Sequence, residues 1–255
     1  MYAHRGGAAL RPENTLAAFD HGLALGADGL EFDVRLSRDG VVVVHHDETV
    51  DRTTNGRGAV ASHTAAELAA LDAGYRFGDA DGRFPFRNRE IGIPQLDQVL
   101  ERYPSVPLII EMKGPDPALA RQTIDVLRGA GAISRASLGS YYYRVLRAAR
   151  LYEPAIRTGA AQEETRWALY RSWVRWPLGK TSYQEFQVPE RSGNTTVVTP
   201  RFVAHAHGAR LPVKVWTVDD GADIDRLLGW GVDAIISDRP DVAVDVLQRR
   251  LATRG

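Results

Sequence analysis

Short β-rich runs alternate with helical stretches along the whole 255-residue chain, and few architectures accept that alternation. The β-rich runs are Tyr2–His4, Gly29–Leu36, Val41–His46, Leu108–Met112, Ala136–Ser140, Ala155–Gly159, Tyr183–Val188, Val213–Val218 and Ala234–Ser237. Between most of them, apolar residues recur at helical spacing: Asn14–Leu25, Leu96–Arg102, Pro117–Gly129, Tyr143–Leu151, Glu163–Val174, Pro200–His207 and Ala222–Leu228. Strand, helix, strand in repetition predicts a parallel sheet with helices outside. One junction breaks the pattern. Only Ser37-Arg38-Asp39-Gly40 joins the second and third runs, too short for a parallel crossover but suited to an Asp-Gly hairpin. Val41–His46 is therefore expected to fold back antiparallel along Gly29–Leu36. Removing it leaves eight strands, the count of an α/β TIM (β/α)₈ barrel.

Such barrels routinely fill about 250 residues as one unit, so residues 1–255 are expected to form a single domain. Residues 38–95 hold the hairpin and a long, mostly strandless stretch with Thr53-Thr54-Asn55-Gly56, Gly74, Gly78, Gly82 and Pro85. A loop of that length in a compact domain is usually a binding element. The expectation is an insertion after the second barrel strand, above the barrel mouth.

The site follows from what ends the strands, because barrels of this kind work at the C-terminal strand ends. Tyr2–His4 ends at His4-Arg5, Gly29–Leu36 carries Glu31 and Asp33, and Leu108–Met112 carries Glu111 with Lys113 just beyond. Residues two apart on a strand point to the same face. Inward carboxylates in an otherwise apolar strand are costly unless they are paired or bind metal. Glu31, Asp33 and Glu111 therefore read as an all-oxygen site for a hard cation, Mg²⁺ or Ca²⁺, with Mn²⁺ equally suited. With the turn centred on Arg38-Asp39, His46 falls opposite Glu31; a loop one residue longer or shorter sets it opposite Phe32 or Leu30. That same one-residue shift exchanges His45 and His46 between faces. A divalent ion with Arg5 and Lys113 would form a cationic pocket for a phosphate oxyanion, and two histidines would supply an acid and a base near neutral pH. Together these suit phosphodiester cleavage.

Charge and composition exclude several classes. Thirty-two basic and 32 acidic residues leave no net charge, so no whole-molecule field draws in nucleic acid. The absence of cysteine removes thiolate metal sites and Cys nucleophiles. No apolar run reaches 18 residues, so no stable membrane insertion is expected, and with no signal peptide at the start a cytoplasmic location is expected.

The ordered set His4-Arg5-Gly6, Pro12-Glu13-Asn14-Thr15, Gly29-Leu-Glu31-Phe-Asp33-Val34, Val44-His45-His46-Asp47 and Arg52-Thr53-Thr54-Asn55-Gly56 resembles the glycerophosphodiester phosphodiesterase family. Glu111-Met-Lys113 fits that family's Glu-x-Lys strand, and Val215-Trp216-Thr217-Val218 with Ser237-Asp238-Arg239-Pro240-Asp241 looks like its closing motifs. The stretch 134–199 matches only loosely. The resemblance implies a TIM barrel, with His4 and His46 as the acid/base pair. It selects His46 over His45 because the family histidine directly precedes Asp. It implies Glu31, Asp33 and Glu111 as metal ligands, Arg5 and Lys113 as phosphate ligands, and Trp216 as a pocket wall. The implied reaction converts a small glycerophosphodiester to glycerol 3-phosphate and an alcohol. Two other readings are a lysophospholipase D-like activity on lysophospholipids and a silent phosphate- or metal-binding barrel. The lipid reading draws on Trp167, Tyr170, Trp173 and Trp176, aromatic residues interleaved with arginines. An outer helix packed on the sheet accounts for the same pattern.

Overall fold

The computed structural model describes residues 1–253; Arg254 and Gly255, the end of the expected 1–255 unit, lie outside the described residues. In chain order the strands are β1 (Tyr2–His4), β2 (Gly29–Leu36), β3 (Val42–Val44), β4 (Leu108–Met112), β5 (Ala136–Gly139), β6 (Arg157–Thr158), β7 (Phe186–Pro189), β8 (Arg191–Ser192), β9 (Thr195–Thr196), β10 (Val213–Trp216) and β11 (Ala234–Ser237). The helices are α1 (Leu16–Ala24), α2 (Ala65–Ala69), α3 (Leu96–Arg102), α4 (Pro117–Gly129), α5 (Tyr143–Tyr152), α6 (Gln162–Val174), α7 (Pro200–Gly208), α8 (Gly221–Gly229) and α9 (Pro240–Ala252). Eight strands run parallel in the order β6-β5-β4-β2-β1-β11-β10-β7, and β3 pairs antiparallel with β2. A single Gly159–Glu185 bridge, with Gln184 N–H donating to Thr158 O at 3.0 Å, closes β6 onto β7. This is a TIM barrel, with the helices outside.

The seam is thinner than the sequence pattern predicts. Strands expected over Ala155–Gly159 and Tyr183–Val188 shrink to Arg157–Thr158 and Phe186–Pro189. The Gln184 side chain explains part of this. Its Oε1 takes the Thr158 N–H at 2.9 Å, so a side chain stands where a ladder carbonyl would be. The sequence pattern also stops at the last strand, whereas the structure adds α9. Pro240 begins α9 at a position where a missing N–H costs nothing, and Ala243 and Val246 bury its inner face.

The hairpin register differs from the Arg38-Asp39 turn. Val34, Arg35 and Leu36 pair with Val44, Val43 and Val42, and Ser37 N–H donates to Val41 O at 3.0 Å. The loop therefore has three residues and ends at Gly40, whose φ of +77° supplies the left-handed residue such loops need. Extended, that register would set His46 opposite Phe32. Pairing stops after His45, however, whose N–H donates to Asp33 O at 2.9 Å.

Beyond the hairpin, the long stretch builds its own apolar cluster from Val43, Val50, Val60, Leu68 and Ile93 among others. It contains α2, whose Thr64 and Glu67 form a reciprocal cap. No helix among the described residues is long and apolar enough to cross a membrane.

Gly6 shows how tightly the first strand end is held. At φ +85° it lies so close to α1 that a Cβ would come within 2.7 Å of Ala18 Cβ and Phe19 Cδ1. Backbone strain and overpacking then act together in Gly6→Ala, which is expected to lose about 2–4 kcal/mol of stability. An unchanged urea midpoint would refute this.

Candidate active site

A cleft of about 1150 Å³ opens at the C-terminal ends of the barrel strands. His4, Arg5, Glu31, His46, Glu111, Lys113 and Trp216 line it, and Asp33 lies beneath, almost wholly buried. All eight residues anticipated from the sequence thus converge on one place. Register explains the carboxylates. β1, β2 and β4 are adjacent, His4 pairs with Glu31, and Asp33 pairs with Glu111, which sets the four at neighbouring levels. One oxygen each from Glu31, Asp33 and Glu111 lies within 4.8 Å of the others.

These acids are packed with cations. Lys113 Nζ lies 3.2 Å from Asp33 and 3.0 Å from Glu111. Arg5 reaches Glu13 at 2.9 Å and Asp33 at 3.3 Å, and its backbone N–H donates to Glu31 at 3.2 Å. Burial pushes the Glu31 carboxyl up to about 7 against the pull of His4, and the Asp33 and Glu111 charges add to the rise. Asp33 goes the other way. Burial opposes its charge, but Lys113 and Arg5 hold the carboxyl below the usual range.

The donor set fits a hard divalent cation. It is all oxygen, it is convergent, and Asp33 Oδ1 is buried with no hydrogen-bond partner despite the Lys113 ammonium nearby.

Each histidine is held by a carboxylate. His4 Nδ1 lies 2.6 Å from Asp238, which leaves Nε2 facing Glu31 at 3.8 Å. His46 Nδ1 lies 2.6 Å from Asp47. Burial disfavours charge on His4, yet Glu31 and Asp238 raise its pKa to about 9. His45 does not line the cleft; its Nε2 bonds Thr49 O at 3.0 Å. Trp216 packs edge to face on Tyr141 at 6.2 Å, and Tyr141 lies 5.7 Å from Lys113 Nζ.

Sequence reasoning left several of these partners without roles. Asp238 sits 234 residues from His4, so no local pattern links them. Asp47 adjoins its histidine and was legible in principle. Arg52 ties Asp47 to Glu13, and Glu13 in turn holds Arg5, which joins both strand ends to the long loop. Buried Asn14, at φ +58°, donates to Asp33 Oδ2 at 2.9 Å and accepts the Asp33 N–H at 3.2 Å.

Residues 4–242 match the model of the glycerophosphoryl diester phosphodiesterase family. A glycerophosphodiester phosphodiesterase of Caldanaerobacter subterraneus subsp. tengcongensis is 31% identical over 255 residues, 98% of each chain. The crystal structure of glycerophosphodiester phosphodiesterase from Agrobacterium tumefaciens superposes with a TM-score of 0.76 at 30% identity, over 95% of this chain and 97% of that one. An Oleispira antarctica phosphodiesterase, solved in complex with the product sn-glycerol-3-phosphate, gives 0.77 at 25% identity over 97% and 96%.

Proposed function

The chain belongs to the glycerophosphoryl diester phosphodiesterase family and is a phosphoric diester hydrolase, and from that premise we propose metal-dependent cleavage of small glycerophosphodiesters by a two-histidine mechanism. The observation that carries the reading is the pair of carboxylate-held imidazoles, His4–Asp238 and His46–Asp47, on the same cleft as the three convergent carboxylates. The product held by the Oleispira relative supports glycerol 3-phosphate as the half retained after cleavage.

Glu31, Asp33 and Glu111 would hold the cation, and Mg²⁺, Ca²⁺ and Mn²⁺ all suit three carboxylates. When bound, such an ion supplies positive charge that polarises a phosphoryl oxygen. Arg5 and Lys113 add fixed positive charge at the cleft floor, where charge on the nonbridging oxygens builds up. Carboxylates at both Nδ1 atoms fix the tautomers, so each Nε2 is the atom that exchanges protons. One imidazole removes the proton from the attacking hydroxyl, which is water itself, or the glycerol 2-hydroxyl, whose attack leaves a cyclic phosphate that water then opens to glycerol 3-phosphate. The new P–O bond forms as the bond to the alcohol breaks, and the other imidazole protonates that leaving oxygen. Trp216 and Tyr141 wall the side of the cleft where the alcohol departs.

A panel of glycerophosphodiesters assayed after exhaustive chelation, then with each ion restored, tests this. Glycerol 3-phosphate release is expected to vanish with chelator and return with Mg²⁺, Ca²⁺ or Mn²⁺. Full turnover in chelated enzyme would remove the metal from the reading. Failure on every glycerophosphodiester would remove the substrate class.

A further inference from the structure

The outer face of α6 carries a row of exposed aromatic rings that the barrel does not use. Trp167, Tyr170 and Trp173 follow one another at three-residue spacing, so they share one side of the helix. The rings meet edge to face at 6.4 Å and 5.2 Å, a continuous ladder. Ala168, Leu169 and Ser172 occupy the opposite, buried side, so α6 packs on the barrel without the ladder. Trp167 is 68% exposed, Trp173 48% and Trp176, just past the helix end, 65%. The turn that presents Trp176 is fastened down: its N–H donates to Arg171 O at 2.9 Å, and Arg171 donates to the carbonyls of Pro177 and Leu178.

Charge around the ladder is mostly positive, with Glu163 on the first turn of α6 the exposed acid. Arg166, Arg175, Lys180 and Arg201 make no ion pair among the described residues. Three of the four acids within residues 162–201 are already engaged: Glu164 with Arg150, Glu185 with Lys214 and Glu190 with Arg226. A chain of zero net charge thus presents a cationic aromatic face here.

The ladder also continues into the active site. A groove of about 320 Å³ runs from Tyr170 and Trp173, over Leu169, Val188 and Val197, to Trp216, Tyr141 and Glu111. We infer that α6 and the turn at Trp176 dock on an anionic lipid bilayer, and that this groove receives the apolar part of an alcohol leaving from a membrane-resident diester. Tryptophan beside arginine and lysine is the composition of surfaces that lie at the headgroup level, where the rings bury and the cations meet lipid phosphate. Among possible occupants, a protein clamped on the ladder would cover the groove mouth, whereas a bilayer would feed it. The substrate half of the inference rests on the proposed diester hydrolysis; the docking half does not.

The test is flotation of the full chain with phosphatidylglycerol/phosphatidylcholine vesicles against pure phosphatidylcholine vesicles, with turnover of soluble glycerophosphocholine read in parallel. Wild type is expected to float with the anionic vesicles and to be released by high salt. Trp167→Ala/Trp176→Ala and Arg175→Glu/Lys180→Glu are each expected to weaken partitioning at least tenfold while soluble turnover stays unchanged, which also shows that both variants are folded. Absence of wild-type flotation, equal flotation of the variants, or a solution dimer that the tryptophan variant dissociates would overturn the docking surface. Loss of soluble turnover in wild type with flotation intact would instead strike the catalytic reading and leave the surface standing.

Discussion

Replacing His46 with alanine is expected to lower turnover of glycerophosphocholine by about 10²–10⁴-fold, and His4→Ala by a similar factor. That is the usual contribution of a positioned general acid or base, about 3–5 kcal/mol of barrier. The two variants should separate when the leaving group changes. A p-nitrophenolate departs without a proton, so a nitrophenyl ester of glycerol phosphate spares the variant that lacks the acid and not the variant that lacks the base. Steady-state kinetics of both variants on both substrates would therefore assign the roles. Asp238→Asn and Asp47→Asn leave the imidazoles present but without their carboxylate partners, and smaller losses in kcat with little change in KM are expected. Retention of full glycerophosphocholine activity by both alanine variants would end the two-histidine reading.

Why these histidines were legible, and Asp238 was not, is a matter of sequence distance. Strand alternation sets Glu31 with Asp33, and Glu111 with Lys113, on one face of their strands, and the parallel register then brings His4, Glu31, Asp33 and Glu111 to neighbouring levels. His46 was harder. Its placement was reasoned from a two-residue turn, and the three-residue loop ending at Gly40 shifts the whole register by one. Strand pairing then ends beside Asp33, and the chain leaves the sheet before alternation can set His46 on a face. The choice of His46 over His45 came from the family resemblance, in which the histidine precedes an Asp, and the structure finds Asp47 bonded to the imidazole. Asp238 and Asn14 act across folds of the chain that no periodicity encodes. The barrel itself was written in the strand count, but its closing seam was not. There the Gln184 side chain substitutes for a backbone partner, a choice that propensity does not see.

The largest expected effect on the metal site is from Asp33→Asn. Asp33 is the buried counter-charge to Lys113 and Arg5 and the carboxylate with an unsatisfied oxygen. Its replacement removes one of the three proposed ligands and leaves two cations facing a neutral amide. Breaking a buried pair from one side typically costs about 3–5 kcal/mol, so the variant should be markedly less stable as well as unable to hold the ion tightly. Glu111→Gln separates the two effects. Glu111 is more exposed, and its loss should weaken ion affinity with little change in unfolding. Calorimetric titration with Mn²⁺ or Ca²⁺ would show this, and it carries a pH signature. A ligand must be deprotonated to bind, and Glu31 in the ion-free protein holds its proton up to about pH 7. Ion binding must then displace that proton. Affinity should be highest above pH 7 and fall about tenfold per pH unit below it, the slope of one released proton. An unshifted Glu31 would put the same break near its ordinary value, about 4.3. Ion affinity that stays flat from pH 8 to pH 5 would remove the raised Glu31 carboxyl, and affinity that survives Asp33→Asn would remove Glu31, Asp33 and Glu111 as the site.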